Sequence, residues 1–350
     1  MRVSSVLTAG LAYGTAVEGL KILMNNDDGF GSGNLRELYK LLKGAGHEVV
    51  IVAPATQQSG QGGRSDFSTE RNLTSPSQYS IVPAGSPAVG TDPNDSHIWY
   101  YNGTPAACTF VALDWVLPRY YPDWNQSPDL FVAGPNYGTN LGPFVYSLSG
   151  TVGATYAAVS RSVPGIALSA SNSAVPYFNV TNATHPAVMA AQAAFMVVEE
   201  FIDNTGAAQR VLPLGYGVNV NIPPLSASEA LPEIVKSRLT GEAETDVAVY
   251  DEETGTFDWD NVVPKAAGVN ACYNGDCGLP GETFVVQGGK ISVSVFTIDY
   301  DAPSIPYTDM VFEKIEGLTG KKSAPKGYGK KRGLMTGRSL TGRDVNNLLA

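Results

Sequence analysis

Two adjacent aspartates, Asp27 and Asp28, close a short apolar run, Lys21 to Met24, and are followed by glycine. Side by side, two carboxylates repel each other unless something positive lies between or beside them. A divalent cation does this well, and oxygen ligands suit Mg²⁺ or Mn²⁺ rather than zinc. Three histidines and three cysteines in 350 residues leave little for a nitrogen or sulfur cage. Ser59, in Gln58-Ser59-Gly60, and Asn136, in Gly134-Pro135-Asn136, follow other apolar runs and could complete an oxygen set with the two aspartates. An Asp-Asp-Gly also serves simply as a cap for the turn and helix behind it, which needs no metal. A second chemistry is offered by Ser149-Gly150-Thr151, where hydroxyls and free N–H groups at a helix start make a phosphate-sized anion site, although Ser and Thr are also ordinary N-caps. Asn102, in Asn102-Gly103-Thr104-Pro105 before another helix, is a further candidate on the substrate side. Together these residues suggest a phosphate clamped between a cation and a helix start.

The elements that must position them read as an α/β fold. Lys21–Met24 reads as a buried strand, Asn34–Ala45 as a helix with Leu35, Leu38, Leu41 and Leu42 on one face, and His47–Ala53 as a β-branched strand. That β-α-β order implies a parallel sheet with helices on its faces. The pattern continues with helices over 107–116, 151–160 and 185–203 and strands over 129–133, 165–170 and 216–222. Ligands of such sheets bind beyond the carboxyl ends of the strands, where the Asp27, Ser59, Asn102 and Asn136 loops all fall. Past residue 225 the chain becomes acidic and turn-rich, with short strand-like runs and an alternating strand over 291–300. The expected fold is therefore a Rossmann-like parallel β-sheet flanked by helices, with an irregular, β-hairpin-rich C-terminal region.

Eight segments in order resemble the SurE family of metal-dependent survival-protein phosphatases and nucleotidases: NNDDGF (25–30), AGHEVVIVAP (45–54), QSG (58–60), GTPA (103–106), PDLFVAGPNYGTNLG (128–142), SGTVGA (149–154), VPGIALS (163–169) and VNVNIP (218–223). The resemblance covers 21–225 well and fades toward 300. It implies that Asp27, Asp28, Ser59 and Asn136 hold the metal and that Asn140, Ser149, Gly150 and Thr151 lie on the phosphate side. It also implies hydrolysis of phosphate monoesters, with a metal-activated water attacking phosphate held by the metal and a helix N-terminus. Asp27 or Asp28 could act as the base, and the residues alone leave open which. Two departures border this site: Ala107 stands where the family commonly has aspartate, and Gly62-Gly63-Arg64-Ser65 replaces a Gly-His-Ser run. The stretch between Gly63 and Asn102 is also longer than a bacterial relative needs, and with the secretory features below the chain looks like a fungal-type secreted acid phosphatase branch.

Other function classes fit less well. Gly29, Gly31 and Gly33 after a strand mimic a dinucleotide loop, but their spacing is Gly-x-Gly-x-Gly and two acids precede them. Asp258-Trp259-Asp260 imitates an aspartyl-phosphate motif without a buried strand before it. A secreted binding protein that keeps the fold without catalysis stays open because of Ala107 and Arg64. Residues 321–350 hold eight Lys or Arg and one acid, so this tail carries +7 and reads as disordered, while the remaining chain carries −17. An acidic body argues against nucleic-acid binding by the folded part, and no run of 18 apolar residues suggests a membrane span. Arg2, the apolar Val3–Ala12 and the small Gly14 and Ala16 resemble a signal peptide over 1–16; without one, the chain would be cytoplasmic. Six glycosylation sequons, at Asn72, Asn94, Asn102, Asn125, Asn179 and Asn182, and a close Cys272/Cys277 pair agree with secretion. The expected organisation is a signal peptide, one domain over 17–320 and the basic tail. The expected partners are a small phosphorylated substrate, such as a nucleoside monophosphate, and a second copy of the chain in a homodimer or higher homo-oligomer.

Overall fold

The computed structural model describes residues 19–319 apart from 126, 207–209 and 263–265. The expected signal peptide and basic tail lie outside the described residues. The chain divides into two units, Met1–Asp301 and Ala302–Ala350. In the first, β1 (Lys21–Asn25), α1 (Gly33–Gly44) and β2 (Glu48–Pro54) make the opening β-α-β unit. A hairpin of β3 (Val89–Asp92) and β4 (Asp95–Tyr101) leads to α2 (Pro105–Val111), which passes through a wider π-type turn over Ala112–Val116 into α3 (Leu117–Tyr120). Then come β5 (Leu130–Tyr137), α4 (Gly142–Leu148), α5 (Gly150–Ser160), β6 (Gly165–Ala170), α6 (Pro186–Asp203) and β7 (Tyr216–Ile222). The C-terminal part of this unit holds β8 (Ile234–Ser237), a separate antiparallel hairpin of β9 (Thr245–Asp251) and β10 (Thr256–Val262), α7 (Glu282–Gln287) and β11 (Ile291–Thr297). The described part of the second unit consists of α8 (Pro306–Glu313) and α9 (Glu316–Thr319).

Nine strands form one sheet in the order β3-β4-β2-β1-β5-β6-β7-β11-β8. From β4 to β7 every neighbouring pair is parallel, and antiparallel pairing enters only where β3 meets β4 and where β11 meets β7. The period-2 alternation of β1 splits the core between the two faces of the sheet. Ile22 and Met24 pack with Leu35, Leu38 and Leu42 of α1 and with Ala191 and Val198 of α6, whereas Leu23 packs with Cys108 of α2 and Ala154 and Ala158 of α5. Cys108 is a buried free thiol. A buried Arg36–Asp92 ion pair, 2.8 Å, ties α1 to the β3–β4 turn.

The departures from the sequence expectations are local. The helix expected over 107–116 starts earlier and widens at Ala112. The strand expected to stop at Ala133 runs on to Tyr137 across a bulge between Ala133 and Asn136. The alternating run over 291–300 pairs only as far as Thr297. Helices α4 and α7, of seven and six residues, were not anticipated, because neither is long enough to show a helical period. Asp258 and Asp260 lie in the exposed β10 of the hairpin, not at a buried strand end. Cys272 and Cys277 form a disulfide.

Candidate functional site

The parallel strands deliver their carboxyl ends to one edge of the sheet, and the candidate residues gather there. Asp27 and Asp28 lie just past the end of β1, after Asn26, and are 2% and 3% exposed. Asn25 fixes the exit of the strand: its side-chain amide donates to the Pro105 carbonyl and the Thr109 hydroxyl while its Oδ1 receives the Asn26 N–H. The Asp27 carbonyl accepts the Gln58 N–H at 2.7 Å, and Pro54 accepts the Phe30 N–H, so the first and second loops are held together.

The two carboxylates have different surroundings. The Thr151 hydroxyl donates to Asp27 at 2.6 Å, and the amides of Gly150 and Thr151 at the start of α5 also favour its ionised form. Gly150 permits this approach, since a Cβ there would lie 2.9 Å from the Asp27 Cβ. Asp28 accepts the Tyr137 N–H at 2.8 Å and the Gln57 side chain. Burial pushes both carboxyls up, and the neighbouring Asp27 charge raises Asp28 further, well above the usual carboxylate range. None of the groups that favour either ionised form is a lysine or arginine.

Asn136 is carried to this edge by the β5 bulge. The bulge needs glycine at 134, where φ is +102° and a Cβ would lie 2.1 Å from the Leu168 carbonyl oxygen. The Asn136 amide donates to the Tyr137 and Gly138 carbonyls, while its Oδ1 is buried without a partner. Ser59 sits at the exposed lip of the second loop, and its hydroxyl and N–H bond the Gln57 side chain, which reaches Asp28. Ser149 caps α5 by accepting the Val152 N–H at 3.1 Å. Asn140 faces inward: its side chain donates to Ser169 and its carbonyl receives the amides of Asn219 and Asn221. Asn102 is half-buried beside Ser68, to which its amide donates at 3.2 Å. The structure thus brings Asp27, Asp28, Asn136, Gly150 and Thr151 together, joins Ser59 to them through Gln57, and gives the Asn140 and Asn102 side chains partners elsewhere.

Several residues of this edge escaped the sequence reading. Gln57 and Tyr137 are direct partners of Asp28, and Asn26 is fully buried with neither side-chain atom bonded. From the long loop before β3, Gln78 reaches Gly29 and Tyr79 reaches Gly31, just past the aspartates. The Gln78 Oε1 lies where a Cβ on Gly29 would clash, and both this atom and the Tyr79 hydroxyl are buried without a partner. Glu282 of α7 braces the Asn140 loop from behind, receiving the Gly142 N–H at 2.9 Å and the Asn219 amide at 3.0 Å. One signal was available: Asn219 and Asn221 stand two apart in a buried strand, hence on one face.

The donor set fits a hard divalent cation. Two acidic side chains lie at 27 and 28, and an amide oxygen of Asn136 is buried with nothing to accept. No cluster of three or more His, Cys, Asp or Glu occurs among the described residues, so any cation here draws partly on neutral oxygens.

The family model for the survival protein SurE matches residues 22–246. The chain belongs to the SurE family. An acid phosphatase of Yarrowia lipolytica is 40% identical over 317 residues, spanning 88% of this chain and 87% of that protein. A 5'-nucleotidase SurE of Wolbachia is 36% identical over 148 residues, 42% of this chain and 50% of that protein. The crystal structure of the SurE protein from Aquifex aeolicus superposes with a TM-score of 0.55 at 23% identity, covering 85% of this chain and 99% of that one; it carries the fold alone. The parallel sheet with flanking helices and added antiparallel strands is the SurE architecture expected from the sequence.

Proposed function

We propose that this SurE-family chain hydrolyses phosphate monoesters at the Asp27–Asp28 edge of the sheet, with a divalent cation, Mg²⁺ or Mn²⁺, held by Asp27, Asp28, Ser59 and Asn136. The observation that carries the reading is the pair of adjacent buried carboxylates, with no lysine or arginine among the described residues that stabilise their charge, beside the unpartnered Asn136 oxygen. Bound there, a cation would supply Lewis-acid polarisation of the phosphoryl group and a nucleophilic water. The chain's own part is orientation. Thr151 and the α5 amides set Asp27, Tyr137 and Gln57 set Asp28, and the positive end of the α5 dipole, capped by Ser149, favours an arriving phosphate oxygen. Asn219, Asn221 and Glu282 keep the 140–142 loop in register behind it. The names of the relatives favour a phosphorylated small molecule, with nucleoside monophosphates one candidate class. The test is turnover of p-nitrophenyl phosphate and 5'-AMP with Mg²⁺ or Mn²⁺, with and without EDTA: activity that chelation removes and cation restores is expected, and full activity in EDTA would overturn the metal reading.

Secretion belongs to the same proposal. The Cys272–Cys277 disulfide suits an oxidising compartment, and five of the six sequon asparagines, all but Asn102, are exposed. Glycosidase sensitivity of the protein recovered from culture medium tests it. Self-association is proposed too, the β9–β10 hairpin with exposed Tyr250, Phe257 and Trp259 being its candidate surface; a monomeric mass by light scattering would remove it.

A further inference from the structure

Tyr79 has no part in the function outlined above, yet its placement asks for an explanation. It and Ser80 are consecutive non-glycine residues with left-handed backbones, φ 58° and 54°. Such conformations are strained, persist only where the surroundings impose them, and gather at ligand sites. Here the surroundings do impose them. The Gln78 N–H donates to Ala55 on the second site loop, and Ser77 and Val82 close the turn through the Val82 N–H to the Ser77 hydroxyl, 2.9 Å, and the Ser77 N–H to the Val82 carbonyl. The Tyr79 ring packs over Gly31 of the aspartate turn, where an added Cβ would lie 3.2 Å from it. Its hydroxyl is buried with no hydrogen-bond partner, although buried hydroxyls nearly always have one. Burial, with smaller electrostatic contributions from the Tyr137 hydroxyl and the Asp28 carboxylate, keeps it protonated, with its pKa pushed up to about 12. It is therefore a donor without an acceptor against the turn that follows the aspartates, whereas Thr151 and the α5 amides are committed to Asp27. On its outer side the ring meets Phe178 edge-on, and Phe178 is 53% exposed.

We propose that the Tyr79 hydroxyl is a catalytic hydrogen-bond donor to the ester oxygen of the departing alcohol. The proposal rests on the phosphatase reading. In that reaction the oxygen of water bonds to phosphorus, the P–O ester bond breaks with its electron pair left on the ester oxygen, and a proton from the water ends on the alcohol. Tyr79 keeps its own proton and stabilises the charge that develops on the ester oxygen as the bond opens. Such help matters for a strongly basic alkoxide and hardly at all for p-nitrophenolate, which leaves unaided.

The experiment compares Tyr79→Phe with wild type on p-nitrophenyl phosphate and on an alkyl ester, glycerol phosphate, under the same saturating cation, with the thermal midpoint of both proteins recorded. The expected result is a loss of about 10²-fold in kcat on the alkyl ester, little change on p-nitrophenyl phosphate, and an unchanged midpoint. Equal losses on both esters, or no loss on either, would overturn the assignment of Tyr79 while leaving the phosphatase reading intact. If the wild-type chain hydrolyses neither ester with any cation supplied, the phosphatase reading falls and this proposal falls with it. Should Tyr79→Phe melt early, Phe178→Leu serves as a control for looseness of the same wall: a selective alkyl-ester loss in that variant too would assign the effect to packing and reject the hydroxyl.

Discussion

The Asp27–Asp28 pair and Glu282 are both buried acid, and they differ in a way that the proton affinities alone would hide. At Asp27–Asp28 and at Glu282, burial pushes the carboxyls up, the last to about 8. Glu282, though, has spent its hydrogen-bonding capacity. One oxygen takes the Gly142 N–H, the other takes the Asn219 amide, and the Ser294 hydroxyl adds a third donor. Beside Glu282 the Asn219 Oδ1 is left without a partner, whereas around the aspartate pair such atoms gather, on Asn26, Asn136, Gln78 and Tyr79. A raised proton affinity therefore marks burial, and structural networks produce it as readily as reaction centres do. Unspent hydrogen-bonding capacity beside the acid is the better sign of a place where something else binds.

The largest effect should separate the two centres by what they lose. Asp28→Asn is expected to cut phosphatase activity by about 10³-fold or more, on the scale of removing a group that organises transition-state charge, while thermal stability holds or rises as the repulsion from Asp27 disappears. Glu282→Ala should do the opposite. It strands the Gly142 N–H and the Asn219 amide in the core, and should cost about 3 kcal/mol in denaturant unfolding, with any fall in activity traceable to a loosened 140–142 loop. Comparable stability losses in both variants would erase the distinction between a reactive pair and a structural acid.

The aspartate centre was legible in the sequence to the extent that it depends on strand ends. Asp27, Asp28 and Asn136 could be placed because a parallel sheet sends successive strand ends to one edge, whatever the side chains do. Thr151 was found at a helix start, but its hydroxyl turns to Asp27, a contact between residues 124 apart in sequence that no local pattern encodes. Gln57 and Tyr137 lay beside residues already singled out, yet amide and aromatic side chains have many ordinary roles. Tyr79 arrives from a long loop with no period, and Glu282 from a six-residue helix too short to declare itself. The resemblance faded toward residue 300 for a related reason. The family match ends at 246, before α7 and β11, so the brace behind the site is built by a part of the chain that repeats no familiar motif. Asn140 illustrates the limit: it was expected on the phosphate side, but its side chain donates to Ser169 while Asn219 and Asn221 claim its carbonyl.

The pH dependence of stability sharpens the contrast at intermediate size. Glu282 has a folded pKa of about 8 against an ordinary 4.5, so the folded state holds the proton more tightly than the unfolded chain does. Its contribution is fully present below about pH 4.5 and is lost as pH rises through about 8. Glu282→Gln keeps the shape, cannot ionise, and should lose less stability than wild type over that window. The expected observation is a pair of melting curves that lie close at pH 4.5 and diverge by a few degrees toward pH 8, the variant above. Curves that stay parallel would mean that the donors from Gly142, Asn219 and Ser294 hold Glu282 ionised throughout.

The smallest effect bears on the one residue whose expected and observed partners differ most usefully. From the sequence, Thr151 belongs to the phosphate; in the structure its hydroxyl is spent on Asp27 at 2.6 Å. A hydrogen bond to a charged group is worth about 1.5–3 kcal/mol, and here it is one of several that orient the carboxylate, so Thr151→Val should lower activity by only about tenfold, near the bottom of that range. Which constant moves is the informative part. If Thr151 serves Asp27, the concentration of Mn²⁺ needed for half-maximal activity should rise while KM for the ester at saturating Mn²⁺ stays put, and Thr151→Ser should restore it. If Thr151 serves the phosphate, KM should rise and the cation requirement should not. The second outcome would require the Thr151 hydroxyl to leave Asp27 when substrate arrives, and would move the α5 helix start from the aspartate side of the site to the substrate side.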